Sequence, residues 1–215
     1  YRVGAVDEPV GRTGFAHLFE HVMFQGSQHV GRNQHFQHLT RAGASNVNGT
    51  TSDDRTNYFQ RVPSNQLDLA LWLESARMGF LLPALDQTKL DRQRAVVKNE
   101  RRQRYENQPY GKARERFCQA LFPSPHPYGG CVIGSMKDLS AASLDDVKQF
   151  FRTYYTPANA TLVLAGDFDL QHARQRVEHY FGGLTVAPRP TRVVPLPPRS
   201  TREERIVLHD RVRFP

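Results

Sequence analysis

The chain has 215 residues, 39% of them hydrophobic and 10% aromatic, and Lys+Arg outnumber Asp+Glu by 29 to 21 for a net charge of +8. That composition can bury a core, and 23% charged residues exclude an acidic or polyampholytic disordered chain. No apolar run approaches the roughly 20 residues that span a bilayer; the longest, at 160–166, is strand-sized. The chain opens on Tyr1 rather than Met, with no leader pattern before it, which reads as a processed chain or a fragment. Two cysteines, Cys118 and Cys131, are too few for a disulfide scaffold and read as ordinary thiols, with pairing left open.

Along the chain, residues 13–24 predict a helix, with Phe15, Leu18, Phe19, Val22 and Met23 at helical spacing. A second short helix is expected over 33–42, stopped by Gly43. Residues 44–62 turn to Asn, Thr, Ser, Gly and aromatics, the composition of extended segments and turns. Ser64 is expected to cap a helix running to Arg77, with Gly79 just past its end. Asp86 opens a long helix that reaches about Asn107 before Pro109 and Gly111, and a shorter one follows over 112–121. Ser143 with Asp146 three residues on starts a helix that ends at Tyr155, before Thr156-Pro157. Residues 160–165 predict a strand, Asp169 caps a last helix to Phe181, and 204–210 predict another strand. The stretch 188–199 holds five prolines and reads as an extended linker.

The chemistry lies in His17-Leu18-Phe19-Glu20-His21. On a helix, positions i, i+3 and i+4 share one side, within about 100° of each other. Two imidazoles one turn apart can grip one metal ion, and a carboxylate between them can reach a water on it. Zinc in catalytic sites usually takes three protein ligands and keeps a position for water, so a third ligand must come from elsewhere. This polar trio interrupts an otherwise apolar helix, where uncompensated charge is costly. In the long helix, Glu100 follows Val96 and Val97 by four and three residues, on the edge of the face expected to pack inward. It is the preferred third ligand, with Glu74 as rival and Glu106 and Glu115 as further candidates.

H-x-x-E-H is the inverted zinc motif, and its surroundings resemble the pitrilysin-type (M16) zinc peptidases, bacterial members above all. The resemblance is carried by Gly14-Phe15-Ala16-His17-Leu18-Phe19-Glu20-His21 with Phe24-Gln25-Gly26-Ser27. Asn48-Gly49-Thr50-Thr51-Ser52 with Thr56 and Tyr58 adds to it, as do Val96-Val97-Lys98-Asn99-Glu100-Arg101, Ile133-Gly134 and the run from Phe150 to Asp167.

It implies that His17, His21 and Glu100 bind one zinc ion and that Glu20 is the general base, and its V-V-x-x-E-R context selects Glu100 over Glu74. Asn48, Gly49 and Thr50 are implied to lie on an edge strand that a peptide substrate extends by main-chain hydrogen bonds. Where members often carry a second glutamate two turns before the ligand, this chain has Gln93, an uncharged residue in the second shell of the site.

The fold implied is α+β, a mostly antiparallel sheet flanked by helices, forming the first half of a two-half clamshell. Residues 1–187 are then the zinc-binding domain, truncated at its N-terminus, and 188–215 a Pro-rich linker and strand leading toward a second half. That half, supplied in cis or in trans, carries an arginine and a tyrosine that steady the oxyanion, so the 215-residue piece alone is expected to bind zinc and cleave peptides poorly. The substrate implied is a peptide or unfolded polypeptide. A bacterial periplasmic location is favoured by the resemblance.

Two other functions compete. A non-catalytic scaffold or partner subunit of the same fold is opposed by the intact H-x-x-E-H and favoured by Gln93. A nucleic-acid-binding domain comes third: ten basic residues lie among four acidic ones between Lys89 and Arg116, but basic and aromatic residues do not alternate there in the manner of stacking platforms.

Overall fold

The computed structural model describes residues 1–192, 196 and 202–210. At its centre is helix α1 (Phe15–Val22), which buries Phe15, Ala16, Leu18, Phe19 and Val22. Those positions follow the i, i+3, i+4, i+7 rule, so apolar contact surrounds most of the helix. His17, Glu20 and His21 are left as a narrow polar stripe. The helix ends earlier than expected, with Met23 as its C-cap.

Two elements hold α1 from behind. Helix α7 (Leu144–Tyr154) starts at the expected capping box: Ser143 Oγ accepts from Asp146 N at 3.1 Å and Asp146 Oδ2 accepts from Ser143 N at 3.2 Å. It presents Phe150 and Phe151, whose ring centroids lie 6.1 and 5.5 Å from that of Phe19. Tyr155 stacks closer still, at 4.6 Å. Helix α4 (Gln87–Arg101) is capped as predicted by Asp86, which accepts from Lys89 N at 2.8 Å. It buries Leu90 and Val97 in the same core. Val96, by contrast, is 48% exposed, because one residue's step of about 100° carries it off the inward face. The expected run to Asn107 loosens into a π-type turn at Arg102–Glu106, and α5 (Ala113–Leu121) follows.

In front of α1 lies a hairpin of β1 (Ser45–Thr51) and β2 (Thr56–Arg61), antiparallel, pairing Asn48 with Phe59, Gly49 with Tyr58 and Thr50 with Asn57. A register irregularity falls between Ser45 and Asn48, where Asn46 takes φ 52°. The fold is α+β, with a two-stranded antiparallel sheet among the described residues. A second apolar cluster joins α2 (Gln34–Arg41) to α3 (Leu67–Phe80) through Val30, Leu39, Leu73 and Ala76. Helix α8 (Leu170–Phe181), capped by Asp169 through His172 N at 2.7 Å, packs on α3 and pairs Arg176 with Asp68.

Several expectations need correction. Ser64 does not cap α3; it opens a 3₁₀ turn, Ser64–Gln66, and the helix proper starts at Leu67. Gly79 lies inside α3 instead of beyond it, because Leu184 packs there: a Cβ would stand 2.5 Å from Leu184 Cδ2. Residues 160–165 form no strand. Val163 is 77% exposed, and a cavity of about 820 Å³, walled by β2 on one side and residues 160–168 on the other, keeps the two backbones apart. A strand needs a partner backbone at hydrogen-bonding distance. Residues 204–210 likewise form no strand and are mostly exposed, with Asp210 Oδ2 accepting from Tyr110 N at 2.7 Å. Of the proline-rich stretch, 193–195 and 197–199 lie outside the described residues.

Helix α6 (Met136–Ala141) was not expected, although Ser135, which accepts from Asp138 N at 3.0 Å, repeats the Ser-x-x-Asp signal of Ser143. Cys118 and Cys131 are free, half-buried thiols. No helix among the described residues is long and apolar enough to cross a membrane.

Candidate metal centre

The polar stripe of α1 faces the last turn of α4. His21 Nε2 lies 3.3 Å from Glu100 Oε2, and His17 Nε2 lies 3.7 Å from the same oxygen. One ligand atom from each of the three residues falls within 4.8 Å of the others. The two rings are 4.8 Å apart, at 80° to each other. Two imidazole nitrogens and a carboxylate oxygen converging from one turn of one helix and the end of another form a donor set that suits zinc. His17 Nδ1 is buried without a hydrogen-bond partner among the described residues.

The electrostatics suit a cation. Burial, with His21 beside it, holds the His17 imidazole well below its ordinary pKa, which keeps it in the neutral form that donates a lone pair. The hydrogen bond with His21 is the largest influence on Glu100 and holds its carboxyl low. Arg104 Nη1 takes the other oxygen, Oε1, at 3.1 Å, leaving Oε2 turned toward the histidines.

Glu20, between the two histidines, is fixed from the hairpin side. Thr51 Oγ1 donates to Glu20 Oε2 at 2.5 Å. Gly49 makes room for the carboxylate: a Cβ there would stand 2.8 Å from Glu20 Cγ. Burial pushes the Glu20 carboxyl up, and the hydrogen bond from Thr51 opposes that shift.

A cleft of about 920 Å³ opens in front of these groups, lined by His17, Glu20, His21 and Glu100 and by Asn48, Gly49, Thr50 and Thr51 of β1. Its far wall includes Tyr105, Phe122 and Tyr128. Gln93 sits two turns before Glu100 on α4, half-buried and away from the cleft lining.

The rival carboxylates are engaged elsewhere. Glu74 binds Gln60 at 2.9 Å and Arg77 Nε at 2.8 Å; Glu106 and Glu115 both pair with Arg101. Thr51 was missed as a site residue from sequence. Its only signal was its place in the Asn48–Ser52 run.

Comparison with known proteins shows the family. Residues 2–123, more than half of the chain, match the family model for insulinase (peptidase family M16). The chain belongs to peptidase family M16. Residues 141–213 match a second model of that family, described as the peptidase M16 inactive domain. The zinc protease PqqE of Helicobacter pylori is 34% identical over 184 residues, 86% of this chain and 40% of its own length. A crystal structure of a protease from Helicobacter pylori superposes with a TM-score of 0.84 at 31% identity, covering 92% of this chain and 46% of that one. The structure of a mutant ferredoxin protease FusC in complex with Arabidopsis ferredoxin gives a TM-score of 0.78 at 25% identity, covering 91% of this chain and 22% of that one. The chain thus spans about two fifths of the length of the curated relatives it matches.

Proposed function

We propose that this M16 chain is the zinc-carrying half of an endopeptidase, holding one zinc ion through His17, His21 and Glu100 and using Glu20 as general base. The observation that carries this reading is the convergence of three ligand atoms within 4.8 Å, with Glu20 beside them on the same helical stripe. A zinc ion in such a donor set supplies Lewis acidity toward water and toward a peptide carbonyl.

The chain's own residues do the rest. Glu20, held by Thr51, accepts the proton of the attacking water and returns it to the departing amine. The free edge of β1, at Asn48, Gly49 and Thr50, offers main-chain groups that a peptide extends as an added strand. The ferredoxin complex of the FusC relative favours a polypeptide substrate. A second half, in cis or in trans, completes the cleft, and the 215-residue chain by itself binds zinc but cleaves poorly.

The test is metal stoichiometry on the purified chain, then cleavage of a quenched fluorescent peptide with the second half supplied. One zinc per chain, with cleavage abolished in Glu20→Gln while the metal is retained, is the expected result. Substantial hydrolysis by that variant would refute the role of Glu20.

A second reading, a non-catalytic scaffold of the same family, is favoured by the match of residues 141–213 to the inactive domain and by the uncharged Gln93. Zinc retained without cleavage, even with the second half present, selects it.

A further inference from the structure

Helix α1 lacks a cap of its own. Its N-cap is Gly14, with φ 90° and no side chain to offer, so the first backbone N–H groups need an outside acceptor. Glu8, six residues upstream and partly buried, supplies it: Oε2 accepts from Gly14 N and Oε1 from Ala16 N, both at 2.8 Å. One remote carboxylate thus does what a capping box divides between two side chains. Burial, with Asp138 and Asp7 nearby, pushes the Glu8 carboxyl up, and the two backbone N–H groups oppose that shift.

The clamp grips the residues next to the metal centre. Ala16 precedes His17, and Gly14 is pressed against Gly134, so that a Cβ on Gly14 would stand 2.8 Å from Gly134 Cα. The carbonyl of Gly134 accepts from Arg101 Nη1 at 2.7 Å, and Arg101 follows Glu100 in α4. A continuous path, from the Glu8 carboxylate through the Gly14 and Gly134 backbone to the Arg101 guanidinium, therefore joins Glu8 to both helices that bear the ligand set. Thr13 adds a parallel tie, donating to Asp138 Oδ2 from its amide at 3.2 Å and from its hydroxyl at 2.5 Å.

We propose that Glu8 is a positioning residue of the metal centre: its carboxylate clamps the first turn of α1 and so holds the His17 and His21 imidazoles in register with Glu100. The proposal rests on the zinc reading above. It goes beyond it in assigning metal affinity to a side chain that touches neither the ion nor the substrate.

The primary variant is Glu8→Gln, which keeps one acceptor oxygen and turns an amide NH₂ toward the other backbone N–H. Zinc affinity is measured by competition with a chromophoric chelator, and the visible spectrum of the Co²⁺-loaded chain reports ligand geometry, both well below the melting temperature. Loss of an outer-shell partner typically weakens metal binding by about 10- to 100-fold, and a drop of about tenfold with an altered Co²⁺ spectrum is expected. Ser143→Ala, which uncaps α7 away from the site, serves as the control for general destabilisation and should leave affinity and spectrum at the parental values. Should Glu8→Gln not fold, Glu8→Asp carries the same test, since it keeps the carboxyl group but is one methylene too short to span both N–H groups.

Parental affinity in the folded Glu8 variant overturns the proposal, as does an equal loss in Ser143→Ala. A parent chain that takes up no zinc strikes the metal reading itself, and the proposal with it.

Discussion

Thr51 and Glu20 are 31 residues apart in sequence, yet the Thr51 hydroxyl donates to Glu20 Oε2 at 2.5 Å. The hairpin thereby fixes the rotamer of the carboxylate on α1. Thr51→Val keeps the shape of the side chain and removes the donor. Zinc content should be unchanged, and peptide hydrolysis by the completed enzyme should fall roughly ten- to hundredfold, since misplacement of a catalytic group by about 1 Å is that costly. Steady-state kinetics alongside metal analysis check this, and an unchanged rate would show that Glu20 needs no such support.

Metal removal should register as lost stability. Ligand at about 100 times its dissociation constant stabilises a native state by about 2.7 kcal/mol, and in a chain of this size about 1 kcal/mol shifts the melting temperature by roughly 2–4 °C. Zinc in that excess should raise the melting temperature by roughly 5–10 °C. A strong chelator should reverse the shift, and Glu100→Gln should abolish it. Scanning calorimetry with and without metal reads all three.

His35 predicts a pH dependence unconnected with the metal. The side chain is buried against Phe24 and Phe36 with its Nε2 unpartnered among the described residues. Burial, reinforced by Arg77 and His38, lowers its pKa from 6.5 to about 3. Between those values the unfolded chain binds the proton and the folded chain does not, so stability is complete above pH 6.5 and falls as the pH drops toward 3. Each pH unit in that window costs about 1.4 kcal/mol from this residue alone. Urea titrations at pH 7 and 5 on parent and His35→Phe isolate it: the parent's pH-dependent loss of stability should exceed that of the variant by about 2 kcal/mol.

Phe19 packs on Phe150, Phe151 and Tyr155 and is 1% exposed. Its truncation in Phe19→Ala should cost about 3–5 kcal/mol. Because the same helix carries both histidines, zinc affinity should fall with it. Denaturant unfolding of the metal-free chain isolates the stability term.

What sequence reading reached and missed divides along physical lines. The stripe of His17, Glu20 and His21 was legible because helical spacing is a local property, and the caps at Asp86, Ser143 and Asp169 were legible for the same reason. Glu100 over Glu74 was legible only as a preference: both are plausible on helix faces, the place of Glu100 at the edge of the inward face favoured it, and family resemblance selected it. The strand expected at 160–165 failed because β-propensity describes one chain, whereas a strand is a relation between two backbones. Gly79 reads as a helix stop until Leu184, more than a hundred residues away, is seen filling the space above it. Glu8 and Thr51 carry no motif of their own, since each acts through a contact that exists only after the chain has folded.

Gly49 sets β1 so close to α1 that the Glu20 carboxylate rests almost on bare main chain. Any polypeptide laid along that strand is therefore delivered within a side chain's length of Glu20. Enlarging residue 49 would pry the Glu20 carboxylate away from the groove, so at this position the smallest amino acid decides where an acidic side chain can stand.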